Sequence, residues 1–452
     1  MKTISRRAFL SEAAVFAAGP LFAGAGATEA SAYEKPDGTA TDAVLVRRLF
    51  LDLAGRLPTA EEARAYVGST AADKKARLVD DLLASESFAD YWTLRFCDVL
   101  RVKSEFPINL WPNAVYVYHR RIRKFVADDE PWDDFARALL TASGSNFRDP
   151  EANFFRALAD RTPSGFAAAA GLTFLGERWE SVPGASVKTL APYFANVKIK
   201  TTREWKEEVV FVPGYDRRGE FCDRLLGEWR RPFAAAFVQR LGWWLFDRAE
   251  PSDDCIEAFL ANGFRLRPLL REMVLSREYA RGPIAGGFRC RRLDAELLED
   301  AICDLTGMTR AYQSIAPEPF TFLPGDRRTI CLEDGSISSA FLLLFGRPVR
   351  DTGRLSERKN AITAKQRLYL FNSGRIYQAL GKLLQRKRIQ RLPIGELVDD
   401  LYWRFYSRPP RPDERQGLVA RFQAIPVGRN RWEFRRDLAW SLLNSREFLY
   451  RH

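Results

Sequence analysis

"RLVDDLLASESF", Arg77 to Phe88, decides the fold class because its spacing suits only one regular structure. Leu78, Val79, Leu82 and Leu83 recur three and four residues apart, the period of a helix face rather than of a strand. Ser85 then breaks the pattern where its hydroxyl can cap a new turn, and Phe88 stands three residues on, placed to pack back on the first helix. "PLLREMVLSREY", Pro268 to Tyr279, repeats that spacing with Leu269, Leu270, Met273, Val274, Ser276 and Tyr279. "DLAWSLLNSREF", Asp437 to Phe448, repeats it again with Leu438, Ala439, Leu442, Leu443, Ser445 and Phe448. A helix-break-helix unit used three times predicts a mainly α protein.

Working outward, "LFLDLAGRLPTAEE" from Leu49 aligns without gaps to "LYWRFYSRPPRPDE" from Leu401, matching Arg56 with Arg408, Pro58 with Pro410 and Glu62 with Glu414. Thr59 and Glu62 have the spacing of a capping box. Apolar periodicity predicts further helices over residues 73–84, 86–102, 111–126, 132–142, 232–246, 293–305, 363–384, 394–406 and 432–443. Only Val197 to Val212 reads as strand, "VKIKTT" and "EEVVFV" flanking the polar turn "REWK". The expected division is a signal over 1–32, a linker over 33–42, an N-terminal helical domain over 43–196, a β-hairpin insertion over 197–215 and a C-terminal helical domain over 216–452.

The opening "SRRAFLSEAAVFAAGP", Ser5 to Pro20, has the order of an export signal: charged start, short apolar middle, then the small-residue pattern Ala30-Ser31-Ala32. Consecutive Arg6 and Arg7 with Phe9-Leu10 behind them resemble the signal of the twin-arginine pathway, which moves folded proteins. The apolar run falls short of the ~20 residues a membrane helix needs, and nothing later reaches that length. The mature chain is therefore expected in the periplasm or cell envelope, without a transmembrane segment.

With 46% hydrophobic and 28% charged residues the composition is that of a folded globular protein. Its net charge of +12 belongs to the mature surface, because the signal carries Lys2, Arg6 and Arg7 against Glu12 and Glu29. Such an excess suits anionic polysaccharide, and an exported protein is not expected to meet nucleic acid. The basic runs at 119–124 and 386–391 read as solvated helix faces.

Catalytic chemistry is thinly supplied. Six cysteines, Cys97, Cys222, Cys255, Cys290, Cys303 and Cys331, form no C-x-x-C pair. Two histidines, His119 and His452, and no G-x-S-x-G motif leave a nucleophilic triad improbable. No metal and no cofactor are expected. Two carboxylates suffice for glycoside hydrolysis. The candidates Asp294, Glu296, Glu299, Asp300, Glu333 and Asp334 read first as ion-pair partners, Asp294 to Arg292 and Glu296 to a distant arginine. The most site-like stretch is Phe345 to Asn372, which concentrates Arg347, Arg350, Glu357, Arg358, Gln366 and Asn372 between apolar helices. Guanidinium forks and amides there suit either recognition of carboxylate or sulfate or a buried clamp on a long loop. Trp179, Trp205, Trp229, Trp243, Trp244 and Trp403 are candidates for stacking on sugar rings, with Trp243-Trp244 reading as core.

"RRLFLDLAGRLPTAEEARAYV" and "LVDDLLASESFADYWTLRFCDVLR" resemble the start of the planctomycete surface-protein domain of unknown function numbered fifteen-forty-nine, the second planctomycete cytochrome-associated domain. "RRLDAELLEDAICDLTG", "FLLLFGRPVRD", "TAKQRLYLFNSG", "LVDDLYWRFYSRPPRPDER" and "LLNSREFLYRH" resemble its usual companion, numbered fifteen-fifty-three. The resemblance implies a helical surface protein and, as a partner, an exported protein of the sulfatase and alkaline-phosphatase type. In relatives a stretch like "FLGERWE", Phe174 to Glu180, leads into Cys-x-x-Cys-His; here it continues "SVPGASVKTLAPYF", without the thiols and imidazole that a c-type haem needs. The expected function is that of a noncatalytic binding or scaffolding partner in a polymer-utilisation system; the alternative is a carboxylate-dependent hydrolase of anionic polysaccharide.

Overall fold

The computed structural model describes residues 32–247, 250–283, 288–316, 321, 323, 325–426 and 430–452. Arg6, Arg7 and Ala30 of the expected signal lie outside the described residues. Helix dominates, as the periodicity predicts. In chain order the longer helices are α1 (Asp42–Leu53), α2 (Ala60–Gly68), α3 (Lys74–Leu83), α4 (Glu86–Val99), α5 (Pro112–Ala127), α6 (Trp132–Thr141) and α7 (Pro163–Leu175). They continue with α8 (Arg218–Leu226), α9 (Arg230–Phe246), α10 (Asp253–Ala261), α11 (Leu266–Leu275) and α12 (Ala295–Thr306). The last five are α13 (Ala364–Asn372), α14 (Gly374–Leu384), α15 (Ile394–Tyr406), α16 (Pro412–Gln423) and α17 (Arg431–Leu443).

The three repeat copies share one hydrogen-bond device. Ser85 Oγ donates to Leu82 O at 2.7 Å and accepts from Phe88 N at 3.2 Å. Ser276 does the same between Met273 and Tyr279, and Ser445 between Leu442 and Phe448. One hydroxyl thus satisfies a carbonyl at the end of one helix and an amide at the start of the next turn. The longer echo is equally literal. Arg56 forks onto Glu62 at 2.7 and 2.8 Å, Arg408 forks onto Glu414 at 2.8 and 2.9 Å, and each glutamate also accepts the backbone N–H three residues before it.

The copies converge on α1, and α3 of the first copy packs on α11 of the second. Buried Arg47 donates to Phe405 O and Phe448 O at 2.9 and 2.8 Å, and its neighbour Arg48 donates to Tyr279 O and His452 O. Adjacent arginines on one helix therefore hold the aromatic residue that closes each of the other two copies. Asp52, one helical turn on, accepts from Tyr279 Oη at 2.7 Å and pairs with buried Arg451.

Two expected helices differ in their ends. The stretch 363–384 is two helices, because Ser373 leaves helical geometry (ψ 100°) and its hydroxyl caps Ile376 N at 3.3 Å. The stretch from Glu86 stops at Val99, since Arg101 adopts φ 60° and turns the chain. The hairpin forms where alternation placed it, β2 (Lys198–Thr201) against β3 (Glu208–Phe211), with Ile199 opposite Val210. β1 (Gly144–Ser145) adds an antiparallel third strand to β3. β4 (Arg291–Arg292) and β5 (Tyr450–Arg451) form a separate antiparallel pair. One cluster of buried apolar side chains runs from Val46 to Phe448 and takes residues from both expected helical domains. Among the described residues no helix is long and apolar enough to cross a membrane.

Candidate functional site

The site-like stretch lies where α4, the start of α12 and the loop 345–363 meet. Arg358 reaches in from the loop and grips two elements at once, Glu296 on α12 at 2.6 and 3.2 Å and Asp98 on α4 at 2.6 Å. Arg350, held at φ 58°, gives its Nε to Asp98 at 2.8 Å and its Nη1 to Val102 O and Glu333 O. Arg347 lies 3.7 Å from Glu296 and donates to Ile337 O and Asp334 O. Gln366 donates to Leu344 O at 2.9 Å and accepts from Thr363 N, so its amide closes the capping box of α13. These four side chains are buried or nearly so, and the hydrogen bonds they make go to other parts of the chain, although Arg347 Nε and Arg350 Nη2 are buried without one.

The remaining two expected members stand apart. Glu357 accepts from Asp351 N, Thr352 N and Thr352 Oγ1, tying the loop to itself. Asn372 is exposed at the last turn of α13 and does not join the cluster. Asp294 corrects the expected pairing with Arg292. It accepts from buried Arg95 on α4 and from Asn360 Nδ2 at 2.7 Å, while Arg292 donates to Leu293 O, Phe345 O and Lys359 O. Arg95, Asp98 and Asn360 carried no signal of their own in the sequence, because their partners lie far along the chain.

The electrostatics follow from burial and mutual proximity. Burial alone would raise the Asp294 carboxyl, but Arg95 and Arg358 beside it hold it well below the usual carboxylate range. Asp98 is likewise held down against burial by Arg358 and Arg350. Glu299, one turn beyond Glu296, meets the opposite balance: burial and the neighbouring Asp300 charge push it up to about 7, against the pull of a Ser339 hydrogen bond. Both histidines are buried, and burial with nearby arginines takes His119 down to about 3 and His452 well below its ordinary value.

Over this network opens a pocket of about 410 Å³. Its walls come from α4 (Arg95, Asp98), the end of α9 (Trp243, Trp244, Asp247), the stretch Arg289–Arg292, the loop (Arg354, Arg358, Asn360) and Tyr450. Trp244 is core, packed on Trp92 and Phe96, while also lining the pocket. Arg289 pairs with Asp247 at 3.1 Å, and Arg354 pairs with Glu177 at 2.9 Å. Arg291 and Arg292 differ: the hydrogen bonds they make go to main-chain carbonyls, Arg291 to Trp243 O and Trp244 O, and among the described residues neither forms an ion pair. A carbonyl dipole satisfies a donor without cancelling its charge, so the pocket keeps a positive excess. No three His, Cys, Asp or Glu side chains gather in a metal-holding group among the described residues.

Residues 27–175 match the family model PSCyt2, described as a protein of unknown function (DUF1549), and residues 253–422 match PSD1, described as a protein of unknown function (DUF1553). The chain joins these two domains. No curated protein and no solved structure matches it. Arg95 and Asp98 belong to the PSCyt2 match, whereas Asp294, Glu296, Arg347, Arg350 and Arg358 belong to the PSD1 match. The buried charges therefore cross-link PSCyt2 to PSD1, and the residues between the two matches supply the pocket's tryptophans.

Proposed function

We propose that the protein is a noncatalytic binding protein of the cell envelope, exported folded by the twin-arginine route, whose arginine pocket receives carboxylate or sulfate groups of an anionic polysaccharide. One observation carries this reading. The carboxylates in and under the pocket, Asp98, Asp247, Asp294 and Glu296, are each engaged by arginine, while among the described residues Arg291 and Arg292 form no ion pair and feel Asp294 only at longer range. Planar guanidinium donors match carboxylate and sulfate oxygens. A hydrolase would need two carboxylates facing open space, one of them able to hold a proton. Glu299 can hold one, but it is buried against Ser339 and Thr329. In a polymer-utilisation system the protein would present such a polymer to an exported enzyme of the sulfatase and alkaline-phosphatase type.

The test uses Arg289→Ala/Arg354→Ala, because both side chains are largely exposed and their loss should leave the fold intact. Mature protein titrated with a sulfated glycosaminoglycan and with an uncharged polysaccharide should bind the former alone, less tightly as salt rises, and more weakly in the double variant. Equal binding of both polymers, or release of reducing ends from either, overturns the reading.

A further inference from the structure

α13 carries apolar side chains on both of its faces. Gln366 and Leu370 are buried, and Tyr369 packs edge-on against Phe341 and Phe345. Leu368, by contrast, is 58% exposed, and Phe371 is 43% exposed although it touches Trp440, ring centroids 5.6 Å apart. At about 3.6 residues per turn the outward face runs Arg367, Phe371, Leu368, Lys365 from side to side, apolar in the middle and basic at both edges. Leu343, 65% exposed, stands beside this helix, because Gln366 holds the carbonyl of the next residue, Leu344. α16 is as superficial as α13, with no buried residue, yet it packs Leu418 and Phe422 against the core. A helix that is apolar on its outward side as well needs a second apolar medium.

Charge identifies that medium. From Arg358 to Gly395 the chain has ten basic residues and no Asp or Glu. Lys365, Arg367, Lys382, Arg386, Lys387 and Arg391 are exposed there, and among the described residues they form no ion pair; Arg388 alone of its run lies near a carboxylate, Glu61 at 3.6 Å. Such an excess draws in a polyanionic surface. The exposed leucines restrict it to one with hydrocarbon beneath its charges, since a hydrated polysaccharide gives a leucine nothing apolar to enter. At nine residues, about 14 Å, α13 is too short to span a bilayer, so it would lie in the plane of the interface. We propose that α13 and Leu343 dock the protein on an anionic phospholipid surface. Leu343, Leu368 and Phe371 enter at headgroup depth, and Lys365 and Arg367 reach back to lipid phosphates. None of these five residues lines the arginine pocket.

The mature protein would be floated with vesicles of phosphatidylcholine alone and of phosphatidylcholine mixed with phosphatidylglycerol. It should bind the mixed vesicles, more weakly as salt rises, and leave the neutral ones. Leu343→Ser/Leu368→Ser should weaken binding to the mixed vesicles at least about tenfold at an unchanged melting temperature, since both side chains are more exposed than buried. Lys365→Gln/Arg367→Gln should weaken it as well, and Arg289→Ala/Arg354→Ala should leave it in place, which separates this surface from the arginine pocket. Failure to bind the mixed vesicles, or equal binding of the neutral ones, overturns the inference. So does binding that survives the serine substitutions, which would mark attraction by charge alone. A dimer that the serine substitutions abolish, without vesicle binding, assigns the face to a second copy of the chain and overturns it too.

Discussion

Replacing Arg358 by Met tests whether the buried charges hold the two domains together. The side chain fits the space with an unbranched apolar chain, so the change removes charge and hydrogen bonds more than volume. Three contacts disappear, two to Glu296 and one to Asp98. Asp98 keeps Arg350 at 2.8 Å. Glu296, fully buried, keeps among the described residues only Arg347, whose Nε is 3.7 Å away and whose two Nη groups donate to carbonyls. Removing one partner of a buried pair costs about 3–5 kcal/mol, because the other charge stays out of water. For a chain of 452 residues the unfolding entropy is close to 1 kcal/mol per degree, so the melting temperature should fall by about 3–5 °C. Urea unfolding is the cleaner assay: the midpoint should drop at unchanged slope. Adding Glu296→Leu should recover most of the loss, since an apolar pair of similar volume no longer buries a lone charge. A midpoint within about 1 kcal/mol of wild type for Arg358→Met alone would refute the clamp.

Glu299→Gln should stabilise the protein by about 3 kcal/mol at pH 8, because a carboxyl raised from 4.5 to about 7 binds its proton in the folded state and costs stability as pH climbs through that window. The difference should vanish below about pH 4.5, where both states are protonated, and a pH-independent gap in urea unfolding would contradict it. Ser85→Ala and Ser445→Ala should each cost about 1 kcal/mol, the usual worth of an N-cap, and no loss at either would remove the shared function of the repeat serines. Export by the proposed route should stop on changing Arg6 and Arg7 to Lys, with the wild-type chain processed after Ala32 to begin at Tyr33; amino-terminal sequencing of periplasmic material checks both. Reduction should shift the melting temperature little, since the described cysteines are all free thiols.

Much of the helical architecture was legible because it is encoded within a few residues. The period of Leu78, Val79, Leu82 and Leu83 reports a buried face wherever that face turns, and a serine after it caps the next turn without help from elsewhere. The same locality placed the Thr59–Glu62 capping box, the hairpin strands and the echo of Arg56–Glu62 in Arg408–Glu414. Local reading ran past the break at Ser373, where a serine between two helical patterns gives no period change to mark it.

Tertiary structure alone decided who pairs with whom. Arg95 and Asp294 are separated by 199 positions, and Asp98 and Arg358 by 260, so no window of sequence contains both partners. Arg292, two residues from Asp294, looked the obvious mate, yet its guanidinium is taken by the carbonyls of Phe345 and Lys359 once the loop folds over it. Trp111 and Trp205, 94 positions apart in numbering, meet only because the hairpin turn packs against the start of α5. Periodicity reports which side of a helix avoids water; the identity of the groups across that boundary is set by chain crossings whose geometry is global.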